Sequence, residues 1–196
     1  MPMSNRWLKR FAIAFTNRAR EQLRLPRIRL LTRAVGYFSM TAKIVGLFVS
    51  NGGVPKLPIA RGFVSETGIE GDRQRNLKYH GGVERALCLY SQKVIAQLQS
   101  EGHPIAPGTT GENVLIEGLD WSLVKPAVQL KLGKVVVEVT RPTTPCKTII
   151  ASFKDGDFMR VHHTKAPHDS RVYVRVLETG EVCVGDAVSV INEPRA

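Results

Sequence analysis

A β-rich α+β fold with one main helix is predicted for this 196-residue chain by three features. From residue 43 onward, short β-branched runs alternate with Gly, Pro and Asn, the patterning of strands and turns. A single stretch, SQKVIAQLQSEG (91–102), changes to helical spacing. With 43% hydrophobic residues the chain can bury one core, and its length alone gives no reason for two.

The elements follow in order. KIVGLFVS (43–50) has the make-up of a first strand, and NGGVPKLP (51–58) that of a turn and extended loop. RALCLYS (85–91) reads as a buried strand. In the helix after it, Val94, Ile95 and Leu98 share a face, Ser91 is placed to cap the start and Gly102 to end it. HPIAPGTTGENVLIEG (103–118) is a Pro- and Gly-rich loop entering a strand, and AVQLKLG and KVVVEVT form a hairpin around Gly133. Pro142 and Pro145 lack an N–H and hold φ near −65°, so the second arm of that hairpin must end near Arg141. KDGDFMRVHHTKAPHDS (154–170) is polar and irregular, with the character of a flexible loop or lid. VYVRVLETGEVCVGDAVSVI (172–191) supplies two further strands joined at Thr179 and Gly180, with Gly185 and Asp186 fitting a turn into a closing barrel strand.

Charge and cysteine usage narrow the function classes. The formal charge is +11, but residues 1–40 hold nine Arg or Lys against Glu21 alone, a balance of +8, which leaves +3 for the remaining 156 residues. The domain itself therefore carries no broad basic footprint for nucleic acid. No apolar run near 18 residues occurs in 1–40, so that segment does not span a bilayer. It reads as a basic N-terminal extension that is dispensable for the fold, or as an organelle-targeting segment. Three cysteines with no CxxC spacing argue against a disulfide framework and a structural zinc site, and so for a reducing, cytoplasmic setting.

Four polar loops lie next to strand ends: 68–82, 103–113, 141–147 and 154–170. In a small barrel they could share one mouth. Within RPTTPCK (141–147), Cys146 is a loop cysteine at a strand exit, with Arg141 and Lys147 near enough in sequence to favour its thiolate. GIEGDRQRNLKYHGG (68–82) combines turn glycines with Asp72, Arg73, Arg75, Lys78 and His80; it is either an exposed charged loop or a phosphate-holding one. Glu112 and Asn113 either bind a ligand edge or cap a turn. His162, His163 and His168 lack the carboxylate or cysteine spacing of a metal site and read as a solvated loop. Cys88 reads as core or pocket wall, and Cys183 as core.

Taken together, GIEGDRQRNLKYHGGVERALCLYS, EGHPIAPGTTGEN and VEVTRPTTPCKTI, in that order and spacing, resemble the MOSC domain family, from about Lys43 to Ile191. That family occurs at the C-terminus of molybdenum cofactor sulfurases and as free-standing bacterial proteins. The resemblance implies a closed β-barrel-like MOSC fold over 41–196, with one main helix and several short ones. It implies Cys146 as the catalytic and metal-binding residue of a site for molybdenum cofactor (molybdopterin). Asp72, Arg73, Lys78, His80, Gly81, Gly82, Glu112, Asn113, Arg141 and Thr144 become cofactor-binding candidates. The implied activity is reduction of small N-hydroxylated compounds with a redox partner; the alternative is a sulfur carrier whose Cys146 persulfide is loaded by a sulfur donor protein. The chain carries no pyridoxal-phosphate-dependent desulfurase domain, so that cofactor is not expected. It also lacks the C-terminal helical region and the N-terminal β-barrel domain of the two reductase groups it resembles.

Overall fold

The computed structural model of the chain describes residues 41–74 and 80–192. The basic segment 1–40, Arg75 and Lys78 lie outside the described residues.

Two sheets are built from strands β1 (Lys43–Val49), β2 (Leu57–Ile59), β3 (Arg61–Ser65), β4 (Gly68–Ile69), β5 (Leu87–Ser91), β6 (Val114–Glu117), β7 (Gln129–Leu132), β8 (Val135–Pro142), β9 (Val172–Glu178), β10 (Gly180–Cys183) and β11 (Val188–Asn192). The larger has the order β11-β7-β8-β9-β5-β6-β1-β2 and the smaller the order β10-β3-β4. The main helix, α1 (Gln92–Ser100), joins β5 to β6, which run parallel. A parallel pair requires such a crossover, because a tight turn can only reverse the chain. Among the described residues the rest of the helical content is short 3₁₀ turns, the longest being Lys147–Ser152.

The expected closed barrel is not formed, because the ladder of named strands is open, with β11 and β2 at its edges. The two ends approach one another near β1: Lys43 bridges Ala187, and the N–H of Ile44 donates to Asp186 O at 2.9 Å. Strands β2, β3 and β4 were not foreseen. They are two to five residues long, and β3 pairs with β10, more than a hundred residues further along. The final stretch contains three strands, since β10 leaves the large sheet after Glu178 to pair with β3, and β11 returns to pair with β7. Cys183 is half-buried, not core, because Val182 takes the inward position of β10.

Local chemistry accounts for the other elements. Val94, Ile95 and Leu98 of α1 are buried as the spacing requires, each contributing about 1.5–3 kcal/mol. Gly102, at φ +87°, closes the helix: its N–H donates to Gln99 O and the N–H of His103 to Leu98 O, a Schellman arrangement. Ser91 occupies the N-cap position but makes no side-chain capping bond; it is the last, buried residue of β5. Gly133 turns the β7–β8 hairpin at φ +59°, and a Cβ there would collide with the Asp186 carboxylate, which accepts the N–H of Cys183. Two constraints thus converge on one glycine.

The segment 154–170 is tied down and not a loose lid. Phe153 and Val161 are buried, and Ser170 O accepts the Trp121 indole N–H at 2.9 Å. Arg160 pairs with Glu101 at 2.7 Å and with Asp169 at 2.6 Å, fastening the segment to the end of α1.

Candidate functional site

The site is organised by one row of side chains across the large sheet. Cys88 on β5 stands opposite Tyr173 on β9, and Tyr173 stands opposite Arg141 on β8. Asn113 extends the row: its N–H donates to Cys88 O at 2.7 Å and its Oδ1 accepts the N–H of Cys88 at 3.1 Å. Opposed residues share a face. That Arg141 joins this face depends on a bulge. Val139 pairs with Val174, a core residue, and two positions later Arg141 should still point the same way. The register shifts between them, so Arg141 falls opposite Tyr173 on the polar face, while the Thr140 hydroxyl donates to Glu84 O at 2.7 Å, with Tyr173 O 3.1 Å away.

Above this row lies a cavity of about 390 Å³, in the size range of small-molecule sites. Its wall includes Cys88, Asn113, Cys146 and Tyr173 from the strands and their exits, His80 and Gly81 from the glycine turn, and the cations Lys56, Arg73, Arg85 and Arg171. A second cavity, of about 420 Å³, adjoins it and includes Arg141, Pro142 and Pro145. His80, Arg85, Thr144, Cys146 and Tyr173 line both. Cys146 is half-buried at that junction, at the start of the Lys147–Ser152 turn. Among the described residues no Asp or Glu stands in either wall.

The two candidate carboxylates are withdrawn beneath the cavity. Asp72, its side chain 1% exposed, accepts the N–H of Ser50 at 2.8 Å through Oδ1. Its Oδ2 accepts Lys56 Nζ at 2.5 Å, Asn113 Nδ2 at 2.9 Å and Gln74 Nε2 at 3.2 Å. It ties three loops together instead of lining the site. Glu112 is fully buried and caps its own turn, accepting the N–H of Gly108 at 2.5 Å and the Thr110 hydroxyl at 2.7 Å. Of the two readings of that pair, Glu112 takes the turn and Asn113 the cavity wall. Gly82 lies outside both walls, and Gly81 lines the inner one only; both have positive φ, and Gly81 O accepts Arg85 Nε at 3.1 Å, which holds that guanidinium toward the site.

Arg73, His80, Gly81, Asn113, Thr144 and Cys146 are thus brought together in the inner cavity, with Arg141 in the outer one. Sequence reasoning missed Lys56, Arg85, Arg171 and Tyr173. Arg171 is buried and donates from Nη1 to Thr110 O. Tyr173 left a signal, since it occupies the outward phase of β9 while Val172, Val174 and Val176 face the core.

The electrostatics follow from burial. Desolvation, aided by Arg171, Arg85 and Lys56, holds the His80 pKa below its ordinary value, so the neutral imidazole is favoured. Its Nδ1 lies 3.0 Å from Tyr173 Oη. Burial, together with Cys88, pushes the Tyr173 phenol up to about 12 against the pull of Arg171. Burial likewise pushes the Cys88 thiol up to about 11. At pH ~7.5 such a thiol is ionised to roughly one part in three thousand. Iodoacetamide near neutral pH is therefore expected to label Cys146 first and Cys88 last, with Cys88 labelling rising about tenfold per pH unit until pH ~11. Peptide mapping measures the order; faster labelling of Cys88 would show that the open thiol of the site is misassigned.

The described residues thus form a β-rich fold with one crossover helix and a half-buried thiol at the junction of two cation-lined cavities. The MOSC domain pattern matches residues 76–189, more than half of the chain, and the chain belongs to the MOSC domain family. It is 31% identical over 137 residues to a protein of Gibberella moniliformis (strain M3125 / FGSC 7600) named "Reductase", covering 67% of this chain and 24% of that protein. It is 29% identical over 126 residues to protein YflK of Bacillus subtilis, covering 63% of this chain and 56% of YflK. The chain thus matches a quarter to somewhat over half of the length of these relatives. The crystal structure of YiiM from Geobacillus stearothermophilus shares the fold, with a TM-score of 0.60, 21% identity, and coverage of 77% of this chain and 75% of that one.

Proposed function

We propose that this domain binds molybdenum cofactor with Cys146 as the protein ligand to the metal, and works as a reductase of small N-hydroxylated compounds. The observation that carries the reading is the placement of Cys146 at the junction of two cavities whose walls, among the described residues, hold cations and no carboxylate. A thiolate is a soft ligand suited to a transition metal, and the acid-free cationic walls suit a cofactor that carries a phosphate. Lys56, Arg73 and Arg171 would hold the anionic part, while Asn113 and the Gly81 turn offer polar and backbone groups beside it. Bound there, the cofactor would supply a two-electron redox centre.

The residues of the chain would do the rest. Reduction of R–NH–OH to R–NH2 and water consumes two electrons and two protons, the electrons coming from a redox partner protein. The neutral His80–Tyr173 pair, facing both cavities, is placed to pass protons. The name "Reductase" of the Gibberella relative agrees with this reading. Protein isolated from cells with intact cofactor synthesis is expected to carry about one molybdenum per chain when sites are filled, measured by elemental analysis. Absence of the metal, together with failure to take up added cofactor, would remove the proposal.

The half-exposed position of Cys146 also favours a second reading, a sulfur carrier loaded by a sulfur donor protein. Mass spectrometry after incubation with a cysteine desulfurase would then find one added sulfur on Cys146, and no adduct would sink it. In either role we place the domain in a reducing compartment such as the cytoplasm, in keeping with three free cysteines. No helix among the described residues is long and apolar enough to cross a membrane. We further propose that residues 1–40 are separable from the fold. A chain shortened to begin at Met40 is expected to melt cooperatively within a few degrees of the full chain, and a broad, early transition would show that the basic segment packs on the domain.

A further inference from the structure

We propose that the outer cavity is an anion-selecting substrate vestibule, which admits small planar compounds with an anionic edge to the sulfur of Cys146. The proposal deepens the reading that chemistry occurs at Cys146. It names the class of substrate for that site and is argued from the vestibule alone.

Three observations converge. The 420 Å³ outer cavity is walled by Arg85 and Arg141, with no Asp or Glu among its described lining residues. Arg141, which is exposed, forms no ion pair among the described residues, whereas the half-buried Arg175 on the adjacent strand is held by both Glu84 and Glu138. Arg141 is instead turned by the bulge after Val139 onto the face of the cavity. Beside the two arginines the wall carries the flat surfaces of Pro142, Pro145 and Tyr173, together with His80, Thr144 and Cys146. Flat apolar faces beside guanidinium groups suit a planar ring bearing a carboxylate-like edge, since guanidinium binds such an edge through two parallel hydrogen bonds. A planar cation of the same shape meets repulsion from Arg141, with no Asp or Glu among the described lining residues to offset it. For the proposed reductase, the substrate class is therefore an N-hydroxylated compound with an anionic group, in preference to a cationic one.

The test uses the full chain purified from cells unable to make the cofactor, so that the Cys146 thiol is open. Iodoacetate and iodoacetamide are nearly the same size and attack the same thiol. The ratio of their rates therefore cancels thiolate fraction and access, and reports the local potential. Relative to the same ratio for β-mercaptoethanol, iodoacetate is expected to be favoured at Cys146 by about tenfold. Arg141→Ala should reduce that preference about threefold, Arg141→Lys should keep most of it, and ~1 M salt should erode it. Benzoate is expected to slow iodoacetamide labelling of Cys146, and benzamidine, its cationic counterpart, to leave it unchanged. A ratio equal to that of β-mercaptoethanol, a ratio unaltered in Arg141→Ala, or benzamidine protecting as well as benzoate would overturn the assignment, as would no protection by benzoate. Lack of molybdenum in native protein would remove the reductase reading and leave these ratios standing, so the two failures are distinguishable.

Discussion

Cys146→Ser is expected to lower retained molybdenum by about tenfold or more while leaving the fold as stable as before. Changing even a group that only supports a metal ligand costs 10–100-fold in affinity, and replacing the soft ligand atom itself by a hydroxyl should cost at least as much. The fold should not suffer, for a local reason. Cys146 is the N-cap residue of the Lys147–Ser152 turn and makes no side-chain capping bond, its side chain opening onto the two cavities. Serine is a preferred N-cap, so the melting temperature should stay level or rise slightly. Elemental analysis paired with a thermal melt separates the two effects. Unchanged molybdenum in the variant would show that Cys146 is not the ligand, and the persulfide carrier would then be the better reading. A metal loss accompanied by a large fall in melting temperature would mean that the substitution had damaged the fold and not the ligand set.

The second large effect is on stability. Asp72→Ala is expected to destabilise the domain by about 3–5 kcal/mol, the usual cost of removing one partner of a buried ion pair. For a domain of this size that is a fall of roughly 10 °C in melting temperature. The cause lies in what the carboxylate satisfies: the Ser50 N–H, Asn113 Nδ2, Gln74 Nε2 and the Lys56 ammonium, whose side chain is only 9% exposed. Without Asp72, Lys56 is left charged and unpaired in a poorly solvated place. Lys56→Met added to Asp72→Ala should recover part of the loss, because the uncompensated charge is then gone, and so the two changes should not add. Thermal denaturation of the two single variants and the double variant tests this. A shift below about 2 °C for Asp72→Ala would show that the network is not what holds the loops over the cavity.

Much of the fold was legible because burial leaves a local record. Strands β1, β5, β6, β7, β8 and β9 and helix α1 all fall where apolar periodicity placed them, since each buries one face or both against a single core. Gly102 and Gly133 were legible too, because a helix end and a tight hairpin demand positive φ wherever they occur. The short strands β2 to β4 were not, because two to five residues carry too little period to separate strand from loop. The segment 154–170 was misjudged for a related reason: Arg160, Asp169 and Ser170 are spent on ties to Glu101, to one another and to neighbouring backbone, which composition alone cannot distinguish from exposure to water.

The site divides along the same line. The sequence by itself determined that Cys146 leaves a strand between two prolines, that a glycine turn with His80 and Gly81 precedes β5, and that the domain has little net charge to spare. Each is a matter of neighbours along the chain. Only the tertiary structure decided that Arg171, Lys56, Arg85 and Tyr173 converge on that cysteine, that Asp72 and Glu112 sink below the cavity while the cations stay in its wall, and that Arg141 turns toward it. These outcomes depend on strand order, on pairings such as Cys88 with Tyr173 across 84 intervening positions, and on a one-residue bulge that moves a side chain from one face of the sheet to the other. Periodicity along a chain records which face of an element is buried. The set of polar groups that meet on the opposite face is chosen by long-range register, which no local stretch of sequence encodes.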